Sequence, residues 1–402
     1  MKLIVREKYL QSLMDCANTP DIKVITGIHR SGKSKLMDAF AARLKETDPH
    51  ANIIHVNFNL TDYEDLLVYH KLEQYIAGHF RSGFHNFVII DEIQMCTGYE
   101  KAVNSLHAKE KYDIYITGSN AFLQSSDLAT LFAGRTFEIK VFPFSFSEYL
   151  CYFPSQNVYA SLTGYFQTGG MSGSYVYSNP DQRADYLNNE VLQALIVRDI
   201  IQKEKIRNPE LLERLIDYLM DNIGNLTSVR SISNSLKNSN INADHKTVGK
   251  YLGYLCSSFL FYRVRRFDIH GKKYLQSGDK YYLSDHSFRY TRLGTRQMDY
   301  GRILENIIAI ELLRRGYEVY AGVLYKKEID FVAVRRGKKM YIQVAYDVSN
   351  PDTFKRETAP LLQIKDCYPK IILVRTYQPE TNYEGIRIID AAEWLNIPQN
   401  RR

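Results

Sequence analysis

The chain has 402 residues, more than one hydrophobic core usually serves, so two or three domains are expected. Its composition, 45% hydrophobic and 24% charged, argues against a disordered chain, and the sequence contains no apolar run long enough to span a membrane. The formal net charge of +7 permits a nucleic-acid partner without requiring one.

The cysteines and the N-terminal sequence bear on the compartment. The 5 cysteines are widely spaced and odd in number, which argues against a disulfide framework and against a cysteine-based zinc site. The sequence MKLIVREKYLQSLMD lacks the apolar segment of a secretory signal. We therefore expect a reduced, cytoplasmic protein without a membrane partner.

Residues 1–145 alternate short apolar runs with helical patterns. The predicted strands are Ile22–Thr26 and residues 52–58, 87–90, 112–117 and 136–142, and the helices between them include residues 33–45 and 99–107. Strands that alternate with helices favour a parallel sheet covered on both faces. The predicted fold class of this domain is therefore α/β, with a P-loop type of parallel sheet.

The rest of the chain has a different pattern. Residues 146–225 are predicted to form a helical lid or linker region, with a glycine-rich loop at residues 168–173. Residues 226–295 are predicted as two helices followed by a hairpin around His270-Gly271, which is the order of a winged helix-turn-helix. Residues 296–402 return to a small α/β domain, with a helix at 303–315 and strands near 329–334, 340–344 and 371–374.

The first predicted strand and helix are joined by a match to the phosphate-binding pattern G-x-x-x-x-G-K-[ST]. The expected nucleotide-binding residues are Gly27, Ile28, His29, Arg30, Ser31, Gly32, Lys33 and Ser34. The glycines let successive backbone N–H groups turn toward phosphate oxygens, and the helix N-terminus adds its positive end. Lys33 is expected to reach the β- and γ-phosphates, and the hydroxyl of Ser34 is expected to bind Mg²⁺.

A second motif ends the buried strand at residues 87–90, where Asp91 and Glu92 follow four apolar residues. Ligands bind at the carboxyl ends of strands in open α/β sheets. Asp91 is expected to hold Mg²⁺ through its water shell, and Glu92 is expected to orient and deprotonate the attacking water.

Two further positions could complete the site. If the strand at residues 112–117 lies between the two motif strands, Ser119 and Asn120 face the γ-phosphate and Asn120 helps to position water; the alternative is an ordinary turn. Arg135 precedes the fifth predicted strand, where a neighbouring subunit could use it to stabilise the transition state; the alternative is a surface arginine.

These motifs resemble those of bacterial and archaeal AAA-type ATPases in which an AAA domain is followed by a DUF4143 domain. In the first part of the chain the similar segments are REKYL from Arg6, TGIHRSGKS, VIIDEIQ, YITGSN, LFAGR and VFPFSFSEYL. Further along they are YFQTGGMSGSYV, IVRDII, KYYLSD, ENIIAIELLRRGYEVY, EIDFVA and YIQVAYD. The resemblance implies ATP and Mg²⁺ as ligands, an AAA core, a winged helix and a C-terminal domain like the PD-(D/E)xK nucleases. His29 and Ser172 depart from the family, in which arginine and proline respectively are usual at these positions.

The C-terminal domain departs from a functional nuclease pattern. Glu305 could be the helix carboxylate and Asp330 the strand carboxylate, but the (D/E)-x-K motif is replaced by Gln343-Val344-Ala345. Because glutamine is a weak Mg²⁺ ligand and alanine has no ammonium, we expect a domain that does not cleave DNA. Residues that could compensate are Asp347, Arg356 and Glu357.

Basic residues in and after the predicted winged helix favour duplex DNA as a partner, with a protein partner as the alternative. They are Arg263, Arg265, Arg266, Lys272, Lys273, Arg289, Arg292 and Arg296, and His245, Lys246 and Lys250 on the candidate recognition helix. Three functions follow: an ATPase that acts on DNA or protein, a slowly hydrolysing switch that binds a protein, and, least favoured, an ATP-gated nuclease. A role of Arg135 between subunits would require a homo-oligomer.

Overall fold

The computed structural model describes residues 4–118, 132, 134–238, 241, 243–269, 271, 278–294, 299–325 and 327–397. The chain divides into two compact units, Met1–Phe142 and Pro143–Arg402. In the described residues, no helix combines the length and the apolar character that crossing a membrane requires.

The first unit is a parallel sheet flanked by helices. Its strands are β1 (Ile22–Thr26), β2 (Ala51–Asn57), β3 (His85–Asp91), β4 (Asp113–Thr117) and β5 (Thr136–Lys140), in the spatial order β2-β3-β4-β1-β5. Its described helices are α1 (Glu7–Asp15), α2 (Lys33–Thr47), α3 (Tyr69–Gly78) and α4 (Tyr99–Ala108), with 3₁₀ turns at Thr61–Leu66 and Ile93–Met95. The predicted parallel α/β sheet is confirmed.

The burial of the strands explains this architecture. β1 and β4 are buried along their whole length, whereas the edge strand β2 alternates between buried and half-buried residues. One face of the sheet packs Tyr115 against Phe40 of α2, and the opposite face packs Ile90 against Val103 of α4. Since β4 pairs with both β3 and β1, the carboxyl ends of these three strands meet at one edge.

The second unit begins with helices and ends with a mixed sheet. Its helices are α5 (Phe146–Tyr152), α6 (Val158–Thr168), α7 (Pro180–Asp185), α8 (Pro209–Asp221), α9 (Val229–Asn238), α10 (His245–Ser257), α11 (Ser287–Leu293), α12 (Tyr300–Arg314), α13 (Pro351–Leu362) and α14 (Ala391–Asn396). A 3₁₀ turn lies at Ser172–Val176, and α7 continues into π-helical turns at Tyr186–Gln193 and Leu195–Gln202.

Among the residues that the structure describes, the sheet of this unit has eight strands. They are β6 (Phe261–Asp268), β7 (Asp279–Leu283), β8 (Glu318–Leu324), β9 (Lys327–Arg335), β10 (Lys338–Val344), β11 (Lys370–Val374), β12 (Thr381–Tyr383) and β13 (Ile386–Asp390). The spatial order is β12-β13-β11-β10-β9-β8-β6-β7. The helix–helix–hairpin order predicted from the sequence is present as α9, α10, β6 and β7, but β6 also pairs with β8 in parallel. The hairpin strands and the C-terminal strands therefore form one sheet.

Candidate nucleotide-binding site

The loop between β1 and α2 carries the phosphate-binding motif. Gly27 has φ +143° and Gly32, the N-cap of α2, has φ +93°, both in the region that favours glycine. A Cβ atom on Gly27 would lie 2.1 Å from the carbonyl oxygen of Val141, so no other residue fits there. The backbone can therefore turn and then enter the helix with its first N–H groups at the loop.

The side chain of Lys33 lies over this loop. Its ammonium donates to the carbonyl oxygens of Gly27, at 2.8 Å, and of Ile28, at 3.3 Å. Lys33 is buried, and the next residue, Ser34, is half-buried. The motif residue with the compact positive charge is thus positioned at the loop, as its expected role requires.

Asp91, at the end of β3, is held by its neighbour strand. Asp91 is 1% exposed, and its Oδ1 atom accepts a hydrogen bond from the hydroxyl of Thr117, the last residue of β4. Its Oδ2 atom is buried and has no hydrogen-bond partner among the described residues. A buried carboxylate oxygen costs free energy unless a hydrogen bond or a cation satisfies it. Asp91 therefore fits a role in holding Mg²⁺, for which Ser34 supplies a hydroxyl at the start of α2.

Glu92 follows Asp91 in a strained backbone conformation. Its φ of 56° and ψ of 46° place it in the left-handed region, which costs a non-glycine residue about 1–3 kcal/mol. Its backbone N–H donates to the Thr117 hydroxyl at 3.3 Å, and its carboxylate accepts a hydrogen bond from Gln94. These contacts fix the direction of the Glu92 carboxylate.

The remaining predicted residues of this site have different outcomes. β4 lies between β1 and β3, which is the arrangement that the role of Asn120 requires. Ser119 and Asn120 themselves lie outside the described residues. Arg135 is exposed, and its carbonyl oxygen accepts from the N–H of Ile22 at 2.9 Å. It therefore lies at the start of β1, about 15 Å of strand away from the phosphate loop of its own chain.

Sequence reasoning missed Thr117 and Gln94. Both lie inside the motif segments. The sequence predicted roles for Ser119 and Asn120, which follow β4, but not for Thr117, which ends that strand. The position of Thr117 opposite Asp91 on a neighbouring parallel strand is the pattern that could have identified it.

The carboxylates of the C-terminal region surround a lysine. Lys280 of β7 is 1% exposed, and its ammonium lies 2.8 Å from Glu305 and 3.5 Å from Asp330. It also pairs with Glu328, and the hydroxyl of Tyr282 donates to Glu305 at 2.6 Å. The structure thus brings the two predicted nuclease carboxylates together, but with an ammonium between them.

The charges of this cluster influence each other. Burial, followed by the neighbouring Glu305 carboxylate, raises the pKa of Asp330 to about 7. Burial alone would lower the pKa of Lys280, but Glu305 and the other carboxylates outweigh it and hold that pKa well above its ordinary value. No group of three or more His, Cys, Asp or Glu side chains in the described part of the chain is arranged to hold a metal ion. The arrangement is an ion-pair cluster.

The replaced nuclease motif lies beside this cluster. Gln343 accepts from the N–H of Asp330 at 3.3 Å and donates to Glu357 at 2.8 Å, and Arg356 pairs with Glu357. Asp347 is exposed and accepts from Ser349 instead. Of the three residues that could compensate for the replaced motif, Glu357 is the one bound to Gln343. None of the three supplies the ammonium of the missing lysine.

The basic residues after the hairpin are partly engaged in ion pairs. Arg292 pairs with Glu213 and Asp217 of α8, and Arg289 is 8% exposed and lies 3.7 Å from Asp221. The expectation that these two arginines track phosphates is wrong, because carboxylates more than 65 positions earlier in the chain occupy them.

The other basic residues remain candidates or are not described. Arg265, His245, Lys246 and Lys250 are exposed, and Arg263 pairs with Asp279 at 2.6 Å. Lys272, Lys273 and Arg296 lie outside the described residues. In the described part of this region, the ion pairs of Arg263, Arg289 and Arg292 reduce the positive charge that is available to a partner.

Comparisons with known proteins cover both units. Residues 19–150 match the family described as AAA domain, and residues 159–299 match a domain of unknown function, DUF8612. The second match is to a different domain from the DUF4143 type expected from the sequence.

The chain is also similar to two uncharacterized proteins and to a solved structure. An uncharacterized protein of Haemophilus influenzae is 36% identical over 401 residues, 98% of this chain and 98% of its own. An uncharacterized protein of Methanocaldococcus jannaschii is 26% identical over 398 residues, 94% of this chain and 86% of its own. A Walker-type ATPase of Pyrococcus abyssi aligns with 72% of this chain and 95% of its own, with a TM-score of 0.44 and 16% identity. The similarity to the Haemophilus protein extends over both units.

Proposed function

We propose that this chain, which belongs to the same family as the uncharacterized Haemophilus influenzae protein and matches an AAA domain over residues 19–150, is a Mg²⁺-dependent ATPase whose nucleotide state controls its second unit. The observation that carries this proposal is the buried, unpartnered Oδ2 atom of Asp91, among the described residues, at the sheet edge that also bears the phosphate loop. A carboxylate in that state is suited to a cation held beside a phosphate group.

In this proposal the loop binds the phosphates of ATP. The N–H groups from Gly27 to Ser34 surround the phosphate oxygens, and Lys33 exchanges a backbone acceptor for a β- or γ-phosphate oxygen. Ser34 and Asp91 hold Mg²⁺, and neutralisation of phosphate charge is the chemistry that this ion supplies when bound.

Hydrolysis needs a base, and Glu92 is the candidate. Its carboxylate, oriented by Gln94 and by the Thr117 contact, accepts a proton from water as the water oxygen attacks the γ-phosphorus. The bond from that phosphorus to the bridging oxygen breaks, and ADP and phosphate leave. The strained backbone at Glu92 supports a functional role, because such conformations cluster at active sites.

The first experiment is steady-state ATP hydrolysis by the full chain and its variants. We expect Lys33→Ala to lose nucleotide binding or turnover, and Glu92→Gln to bind ATP but hardly hydrolyse it, since the phosphate and Mg²⁺ ligands remain. Lys35→Ala is the matched control, because Lys35 is 62% exposed on the same helix and pairs only at the surface with Asp38. Equal loss of ATP affinity in the Lys33 and Glu92 variants would contradict the role of Glu92.

For the second unit we propose duplex DNA as the partner. The exposed His245, Lys246 and Lys250 lie on α10, whose N-terminus is capped by Asp244 and whose position after α9 resembles a recognition helix. Fluorescence anisotropy with duplex DNA tests this: we expect binding at low salt that weakens as salt rises. The absence of binding at low salt would contradict it.

A slowly hydrolysing switch that binds a protein is the second candidate. The observation that favours it is the pairing of Arg289 and Arg292 with carboxylates, which removes two cations from the surface. ATP turnover with and without duplex DNA separates the two functions. Stimulation by DNA supports the DNA-coupled ATPase, whereas tight ATP binding with slow, unstimulated turnover supports the switch.

A further inference from the structure

Arg6, which precedes α1, contacts the phosphate-binding loop. It is 5% exposed, and its Nη1 group donates to the carbonyl oxygen of Ser31 at 3.0 Å. Its guanidinium lies over the ring of Tyr9, with 4.4 Å between Cζ and the ring centroid. A buried guanidinium is costly unless it is well paired, so its partners hold it in one position.

The same guanidinium also binds the last residue of the first unit. The Nη2 group of Arg6 donates to the carbonyl oxygen of Phe142 at 2.9 Å, and the N–H of Phe142 donates to the hydroxyl of Tyr9 at 3.2 Å. Arg6 and Tyr9 together thus bind both backbone polar groups of Phe142, while Arg6 also binds the loop.

The contact with Ser31 determines the direction of a loop N–H group. In a trans peptide the carbonyl of one residue and the N–H of the next point in opposite directions. Because Arg6 binds the carbonyl of Ser31, the N–H of Gly32 points away from Arg6. A charged donor on the carbonyl also polarises the peptide and strengthens its N–H as a donor.

The chain continues from Phe142 into contacts of the second unit. Phe144 donates its N–H to the carbonyl oxygen of Gly170 at 2.7 Å and accepts from the hydroxyl of Tyr165 at 2.7 Å. Pro143, between them, has a fixed φ and restricts the conformation of Phe142. This short segment is therefore bound at both of its ends, and a shift of Phe142 is passed along a stiff stretch of backbone.

We propose that Arg6 is a positioning residue of the nucleotide site that couples the phosphate loop to the backbone at Phe142, so that nucleotide binding alters the contacts of Phe144 with Gly170. This inference rests on the proposed function of the loop. It adds a residue outside the phosphate-binding pattern and the Asp91-Glu92 motif, and a route by which the loop influences the second unit. In this proposal the glycine-rich loop that contains Gly170 is the part of the second unit that responds to nucleotide binding.

The test compares wild type, Arg6→Lys and Arg6→Gln, with Arg43→Gln as the matched control. Arg43 also contacts α1, through Glu7 at 3.3 Å, but at the surface and away from the loop. The probe is Mg²⁺ with a non-hydrolysable ATP analogue. Its affinity is measured by calorimetry, and its effect on residues 142–176 by hydrogen–deuterium exchange.

We expect the analogue to slow exchange at the amides of Phe144 and Gly170 in wild type and in Arg43→Gln. Both Arg6 variants should bind the analogue about 10- to 100-fold more weakly, since a hydrogen bond from a charged donor is lost. At saturating analogue they should show no exchange response at Phe144 and Gly170. A merely structural role would raise exchange without the analogue and leave the response intact.

Different outcomes overturn different statements. If wild type does not bind the analogue, the proposed function fails. If wild type binds it but a folded Arg6→Lys protein keeps both the affinity and the exchange response, the inference about Arg6 is wrong. Arg6→Lys retains the positive charge but has a single donor nitrogen in place of the two that bind Ser31 and Phe142, so it decides the matter even if Arg6→Gln does not fold.

Discussion

Thr117 joins the ends of two neighbouring parallel strands by donating its hydroxyl to the carboxylate of Asp91. The same hydroxyl accepts from the backbone N–H of Glu92. One side chain therefore positions both the residue that fits Mg²⁺ and the residue proposed as the base. Its effect on both can be tested without changing either.

Thr117→Val keeps the shape of the side chain and removes the hydroxyl. We expect the turnover number for ATP to fall about tenfold or more, because a hydrogen bond to a charged group is worth ~1.5–3 kcal/mol. Thr117→Ser, which keeps the hydroxyl, should retain most of the activity. Steady-state hydrolysis at several Mg²⁺ concentrations measures this, and equal activity of the Val and Ser variants would contradict the role of the hydroxyl.

The left-handed backbone of Glu92 predicts an unusual order of stability. Both Glu92→Gly and Glu92→Ala remove the carboxylate, and both should be inactive. The glycine variant should nevertheless be more stable than the alanine variant, by ~1 kcal/mol, because alanine strains this conformation and glycine does not. Thermal unfolding of the two variants measures the difference. A more stable alanine variant would show that the left-handed conformation is not kept.

The cluster around Lys280 predicts a dependence of stability on pH. The pKa of Asp330 is about 7 in the folded chain, above the ordinary 3.8, so the folded state binds a proton more tightly than the unfolded state. The contribution of Asp330 to the free energy of unfolding is therefore fully present below pH 4, and this contribution is lost as the pH rises toward 7. Asp330→Asn removes this proton site.

Urea unfolding at pH 5 and pH 8 tests that dependence. Between these two values wild type should lose more free energy of unfolding than Asp330→Asn does. Asp347→Asn is the control, because Asp347 is exposed and outside the cluster. The same loss in wild type and in Asp330→Asn would mean that Asp330 does not titrate in this range.

The position of Arg135 predicts activity that depends on assembly. Its side chain is too far along β1 to reach the loop of its own chain, so any role in catalysis belongs to the site of a second copy. We expect specific activity to rise with protein concentration and Arg135→Ala to be much less active. Mixing Arg135→Ala with Glu92→Gln should restore turnover, because the first supplies an intact base and the second an intact arginine.

Two results would speak against this role. Specific activity that stays constant over a wide concentration range would indicate independent sites. A lack of rescue in the mixture, with both variants folded, would assign Arg135 to the surface, which is the alternative that the sequence already permits.

The first unit could largely be predicted from sequence because its strands are buried and its motifs are local. The apolar runs that form the buried strands β1 and β4, and the glycine that the loop at Gly27 requires, are each recognisable within a few residues. The contacts of Thr117 and Arg6 could not be predicted in the same way. Thr117 meets Asp91 across 26 positions and Arg6 meets Phe142 across 136, and no local pattern encodes such partners.

The second unit was harder for the same reason. The strand β8 was not predicted, since it follows α12 almost directly and becomes recognisable only through its pairing with β6 and β9. The sequence also predicted that Arg289 and Arg292 would be available to contact phosphates. Their acidic partners lie on α8, far earlier in the chain, so the ion pairs could not be predicted. Whether these arginines are available to a partner depends on their burial and their ion pairs, and the composition of the chain gives no information on either.

The parallel pairing of β6 with β8 determines where the chain can be divided. A cut near residue 295 would remove β8 and leave β6 with an unpaired row of backbone N–H and C=O groups, which is a template for aggregation. Both Lys280 and Glu305 would also lose their partners, since the cut separates them. Fragments for expression or proteolysis should therefore keep residues 143–402 together.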